Sequence, residues 1–139
     1  MKTDLAKILS VRGQRGLFNY IAQSRQGAIV EALDTKKRLN VSASAGITSM
    51  ADISIYTSEE EIKLQDVFLK LKEVLGEAEA PAPKAADADF KALFEKAIPD
   101  YDRDRFYVSH MKKVAEWYNT LKKYASLDFL TDAEREAQA

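Results

Sequence analysis

Asp100, Asp102 and Asp104 alternate within PDYDRDRFYVSHMKK (99–113) in the manner of the first half of an EF-hand loop. Calcium needs roughly six to eight oxygens, a glycine at the sixth loop position for the sharp turn, and a bidentate Glu at the twelfth. Counting from Asp100, the sixth position is Arg105 and the twelfth is Met111. Arg103 and Arg105 would also repel a cation. The stretch therefore reads as a turn followed by a short extended segment at 106–108, and no metal is expected. His110 is the single histidine and there is no cysteine. Zinc sites draw on at least three protein ligands, usually His or Cys, so His110 reads as a structural or exposed residue. Without cysteine there is neither disulfide nor thiolate nucleophile.

Other catalytic constellations fail on similar grounds. One histidine without a recognisable Ser or Asp context makes no hydrolytic triad. Glu31, inside AIVEALD, is the carboxylate nearest to an apolar setting that would raise its pKa for acid–base work. It reads equally as the polar side of an alternating strand. The glycines of VRGQRG (11–16) lack the phosphate-loop pattern. The sequence thus predicts neither an enzyme nor a cofactor.

What remains is a set of cations with neighbouring aromatics. Arg12, Arg15, Arg25, Lys36 and Lys37 fall in expected loops, with Tyr20 or Tyr56 on expected strands. Together they form the candidate binding surface. Residues 1–57 carry eight Lys/Arg against four Asp/Glu, and residues 58–139 carry thirteen against eighteen, for a net charge of −1. An excess of four positive charges is far below the dense basic footprint usual for a nucleic-acid domain.

The elements that must position these groups begin with short strands. Leu5, Ile8, Leu9 and Val11 open a helical turn or first strand. Residues 17–24 place Phe18, Tyr20 and Ala22 on one face, 28–33 are apolar and β-branched, and 38–44 alternate with Leu39, Val41 and Ala43 inward. The turns between them are short, so the strands should form an antiparallel meander. A helical turn is expected within 45–52, carrying Ile47 and Met50, and a further strand at 53–56. So many short strands in so few residues predict a small SH3-like antiparallel barrel, since a small sheet must curl or be covered.

Helices follow. Ser58 and Glu61 have the form of a capping box, ahead of a stripe formed by Leu64, Val67, Phe68, Leu71, Val74 and Leu75 and closed at Gly76. Residues 61–63 are open to a strand reading instead. GEAEAPAPKAA (76–86) has nothing large to bury and reads as extended linker. Asp87 or Asp89 is expected to cap a helix with Phe90, Leu93, Phe94, Ala97 and Ile98 on one face, ended by Pro99. Ser109 is expected to cap the next helix, with Met111, Val114, Tyr118 and Leu121 as its stripe. Thr131 and Glu134 could cap a last turn.

The fold class expected is α+β, in four parts. Residues 1–76 form a barrel-like domain ending in a helix, 77–86 the linker, 87–128 a helical domain, and 129–139 a frayed tail. No run approaches the roughly 18 to 20 apolar residues of a membrane span, and the amino-terminal MKTDLAKILS has no signal-peptide core.

Taken with KILSVRGQRGLFNYIAQSRQGAIVEALDTKKRLNV and ADISIYT, the stretch DYDRDRFYVSHMKKVAEWYN resembles a family of small bacterial proteins of unknown function. The resemblance covers roughly residues 4–128. It implies a β-rich amino-terminal part, a short helical carboxy-terminal part and a cytoplasmic setting, and it brings no catalytic residues. The expected function is a non-catalytic protein-interaction module, binding a partner protein or its own kind. The alternative is an RNA- or DNA-binding accessory protein that uses the basic loops.

Overall fold

The computed structural model describes residues 3–14, 16–42, 44, 46–82, 84–129, 134 and 137. The chain forms two compact units: Met1–Asp52 with Thr120–Ala139, and Ile53–Asn119.

The first unit is built on a five-stranded antiparallel sheet. In chain order the strands are β1 (Ile8–Val11), β2 (Phe18–Gln23), β3 (Gly27–Ala32), β4 (Arg38–Ser42) and β5 (Ile47–Ser49), and across the sheet the order is β4-β3-β2-β1-β5. Val30 sits at the centre, fully buried, with Leu9, Val11, Phe18, Ala28 and Val41 packed in the same cluster. A 3-10 turn at Leu5–Lys7 precedes β1; the Asp4 carboxylate accepts the Ala6 N–H at 3.0 Å. The Ser49 hydroxyl donates to the Ala6 carbonyl at 3.1 Å, tying β5 to this turn. A second 3-10 turn at Met50–Asp52 buries Met50 completely. The carboxy-terminal segment closes the unit. Thr3 donates its N–H to the Asp128 carbonyl at 2.7 Å and its hydroxyl to the Ser126 carbonyl at 2.8 Å, and Phe129 is buried.

The expected barrel is not what forms. Among the described residues β4 and β5 are the two edges of an open sheet and share no ladder. The strand at 53–56 that a barrel would have used for closure pairs elsewhere, in the second unit. Within 45–52, residues 47–49 are extended because they pair with Val11, Ser10 and Leu9, and only 50–52 turn. Ala22 does not share the Phe18 face. A bulge between Tyr20 and Ala22 shifts the ladder, pairing Tyr20 with Val30 but Ala22 with Ile29, and an inserted residue switches face. Leu39 is 40% exposed although it stands beside Val30. Ala43, Ala45 and Thr131 lie outside the described residues.

The second unit opens with a hairpin of β6 (Ser54–Tyr56) and β7 (Glu61–Lys63) and continues into α1 (Leu64–Leu75), α2 (Asp87–Ala97) and α3 (Val108–Tyr124), whose last turn belongs to the first unit. The expected stripes hold except at the end of α1, where Val74 is exposed and Leu75 only half-buried. Leu64, Val67, Phe68 and Leu71 of α1 are fully buried, as are Phe90 and Phe94 of α2 and Tyr118 of α3. Phe106 packs edge-on to Phe94 and Tyr101, at 5.2 and 5.8 Å between ring centroids.

The caps differ from expectation. Ser58 donates its backbone N–H to the Asp100 carbonyl, and α1 begins later, after Lys63, with no side-chain cap. Ala86 precedes α2, which leaves Asp87 and Asp89 within the first turn, where a carboxylate meets the positive end of the helix dipole. α3 starts at Val108, one residue ahead of Ser109. His110 reaches back instead, and its Nδ1 accepts the Tyr107 N–H at 3.2 Å.

The division of the chain therefore falls at 52/53 and 119/120. The stretch 77–86 lies inside the second unit, where Ala80 is buried. Ala80 donates its N–H to Asn119 Oδ1 at 2.8 Å and accepts from Asn119 Nδ2 at 3.0 Å. The side-chain amide satisfies both backbone groups of a residue whose apolar neighbours gave no hint of burial. The tail expected from 129 onward likewise loses its first residue to the core, since Phe129 packs inside the first unit.

Candidate functional site

β1 and β3 run in the same direction, so the β1–β2 and β3–β4 turns sit at one end of the first unit's sheet. The Leu33 N–H donates to the Leu17 carbonyl at 3.1 Å and joins the two turns. Arg12, Lys36 and Lys37 lie at this end. Arg12 is held by its N–H to the Gly46 carbonyl at 3.0 Å. Lys36 takes φ of +63°, the left-handed region that side-chain-bearing residues seldom enter. The Asp34 carboxylate accepts the Thr35 N–H at 2.7 Å and the Thr35 hydroxyl accepts the Lys37 N–H at 3.3 Å, which shapes the turn.

The other members of the expected surface do not join them. Arg25 lies in the β2–β3 turn at the opposite end of the sheet. Tyr20 stands mid-strand beside Val30, on the core-facing side, and is 39% exposed. Tyr56 belongs to the second unit, where the Arg105 guanidinium lies 4.9 Å from its ring centroid. Arg15 lies outside the described residues.

The acidic stretch that evoked calcium serves the loop itself. Asp102 Oδ1 accepts the Asp104 N–H at 2.9 Å and its Oδ2 pairs with Arg105 Nε at 3.5 Å. The backbone of 100–102 zips onto β6. Asp102 donates to the Tyr56 carbonyl, Ser58 donates to the Asp100 carbonyl, and Thr57 bridges Tyr101. No cluster of three or more potential metal ligands occurs among the described residues.

A second site comes from the structure. Within the second unit the β7 strand, one side of α1 and the end of α2 enclose an open cleft of about 580 Å³. Ile62, Leu69, Ile98 and Pro99 supply apolar surface. Glu60, Glu61, Asp66 and Asp100 line it with carboxylates, against Lys63 and Lys70. The hairpin that forms one wall is shaped by Thr57, whose hydroxyl bonds the Glu60 carbonyl and accepts the Glu60 N–H at 3.0 Å. The sequence carries one trace of this cleft, the run Glu59–Glu61 just past the Thr57 turn. Nothing in spacing brings Asp66 and Asp100 to it, because they converge through the packing of α1 and α2.

Comparison with known proteins falls on the same division. Residues 5–50 match the model of a domain of unknown function (DUF5606), and residues 53–121 match another (DUF6852). No curated protein matches. A Bacteroides vulgatus protein, solved by solution NMR as a structural-genomics target, is 36% identical, with a TM-score of 0.70 over 88% of this chain and 87% of its own. No helix among the described residues is long and apolar enough to cross a membrane. The chain belongs to the uncharacterised bacterial family in which a DUF5606 domain is followed by a DUF6852 domain.

Proposed function

We propose that this protein is a non-catalytic, cytoplasmic protein-interaction module, and that the cleft of the second unit is its binding surface. The observation that carries the reading is the cleft itself: a recess of about 580 Å³ lined by both apolar and charged side chains. That combination is how proteins recognise a partner segment, with apolar contact for affinity and placed charges for register. The test is capture from a native lysate with the full chain as bait. A reproducible, stoichiometric protein partner is expected, and its absence across repeated preparations would overturn the reading.

A second reading, an RNA- or DNA-binding accessory role, rests on the placement of Arg12, Lys36 and Lys37 at one sheet end, with Lys36 held at positive φ. Phosphate contacts release counterions, so such binding would weaken steeply with salt. A mobility-shift assay at about 50 mM salt with single- and double-stranded probes tests it, and no shift with any probe would end it.

A further inference from the structure

We infer that the open edge of β7 pairs with an extended, lysine- or arginine-bearing segment of a partner protein, which lies in the cleft as an added strand. The inference rests on the interaction reading above and names the class of partner.

Thr57 donates its N–H to the Glu60 carbonyl, Leu64 donates to the Ile53 carbonyl, and Ile55 stands opposite Ile62. Bonded and non-bonded pairs alternate in an antiparallel ladder. Ile62 therefore turns its N–H and C=O toward β6, and Glu61 and Lys63 turn theirs away from it. The Lys63 carbonyl is committed to the first turn of α1, because Lys63 is the residue that caps that helix. The Glu61 N–H, the Glu61 C=O and the Lys63 N–H are left facing outward, and both residues are exposed. On the opposite side of the hairpin, residues 100–102 bond to the end of β6 at Tyr56 and to the turn at Thr57 and Ser58. The outer edge of β7 is thus open along the hairpin, and its residues line the cleft.

An unpaired strand edge is a template for another strand, and adding one supplies main-chain bonds while side-chain pockets supply selectivity. The cleft states which side chains suit it. Its four carboxylates outnumber its two lysines, and none of the six is in an ion pair with another described residue. Successive side chains of an extended strand point to opposite sides. An occupant with alternating cationic and apolar residues would place its apolar groups against Ile62 and Leu69 and its cations near Glu60, Glu61 and Asp66. The same carboxylates would repel a phosphate backbone, so the cleft favours a basic peptide over nucleic acid.

The test is an amide-shift titration of the ¹⁵N-labelled full chain with a short, end-capped peptide alternating lysine and valine. A peptide alternating glutamate and valine serves as control. The expected result is saturable shifts centred on the Glu61 and Lys63 amides and on Leu69 for the lysine peptide only, weakening as salt is raised. Glu61→Pro removes an outward N–H that the fold does not use, and it should weaken binding by about tenfold or more. Asp66→Lys leaves the strand untouched and should weaken it as well, which keeps the test sound where Glu61→Pro disturbs the hairpin. The inference is overturned by shifts confined to other positions, by equal binding of both peptides, or by native affinity in Asp66→Lys. It is also overturned by concentration-dependent shifts at Glu61 and Lys63 without peptide, which would assign the edge to a second copy of the chain. If the titration fails while lysate capture still returns a partner, the interaction reading stands and this site falls.

Discussion

Tyr118 is the residue where burial and chemistry conflict most plainly. Its side chain is fully buried in α3, with its ring 6.2 Å from that of Phe68, and its hydroxyl has no hydrogen-bond partner among the described residues. A buried hydroxyl without a partner costs free energy that an apolar replacement does not. Tyr118→Phe should therefore leave stability at neutral pH unchanged or raise it by up to about 1 kcal/mol, read by urea unfolding. Burial also raises the phenol above its ordinary value of 10.0. The folded-state value lies above the unfolded one, so the contribution of the neutral phenol is complete below the unfolded value and is lost as pH rises through the folded one. Tyr118→Phe should accordingly move alkaline unfolding to higher pH. An unchanged alkaline midpoint would contradict the assignment. Gly46 shows the opposite dependence. It holds φ of +83°, and a Cβ there would stand 3.1 Å from Arg12 Cβ. Gly46→Ala should destabilise by roughly 1–3 kcal/mol, because the backbone is strained and the side chain of Arg12 must give way.

At the scale of elements, the helical stripes were written in the sequence and the strand faces only partly. Phe68, Phe90, Phe94 and Tyr118 recur at helical spacing, and each is buried where the period places it. Strand alternation is a weaker guide, because one inserted residue reverses it. The bulge after Tyr20 removes Ala22 from the Phe18 face, and no residue type there announces it. The Ala-Pro stretch misled for a different reason. Composition alone assigns it nothing to bury, yet Asn119, more than thirty residues away, clamps both backbone groups of Ala80. Asn119→Ala leaves those groups without their partner and should cost about 1–3 kcal/mol in chemical denaturation. Asn119→Asp keeps the acceptor for the Ala80 N–H but loses the donor to its carbonyl, and should fall between the two. A loss within error for Asn119→Ala would mean that Ala80 is not held by this clamp.

At the scale of the molecule, the division of charge follows the division of structure. Ile53–Asn119 holds fourteen Asp/Glu against ten Lys/Arg, and the remaining residues hold eleven Lys/Arg against eight Asp/Glu. A sequence reader sees the gradient but sets the border by composition, at the Ala-Pro stretch, whereas packing sets it before β6. That misplacement also hides the cleft, since it separates α2 from β7 and α1. Of the surface expected from sequence, Arg12, Lys36 and Lys37 lie at one sheet end because the β1–β2 and β3–β4 turns share it, while Arg25, Tyr20 and Tyr56 are dispersed by topology. On the function proposed above, the chain acts by binding a protein at the cleft of its second unit. The most direct test is the affinity of a captured partner for the native chain, for Leu69→Asp in the cleft, and for Lys36→Glu/Lys37→Glu at the sheet end. Leu69→Asp should weaken binding by about tenfold or more, and the sheet-end variant should stay within about twofold of native. Native affinity for Leu69→Asp with loss of binding in the sheet-end variant would contradict it.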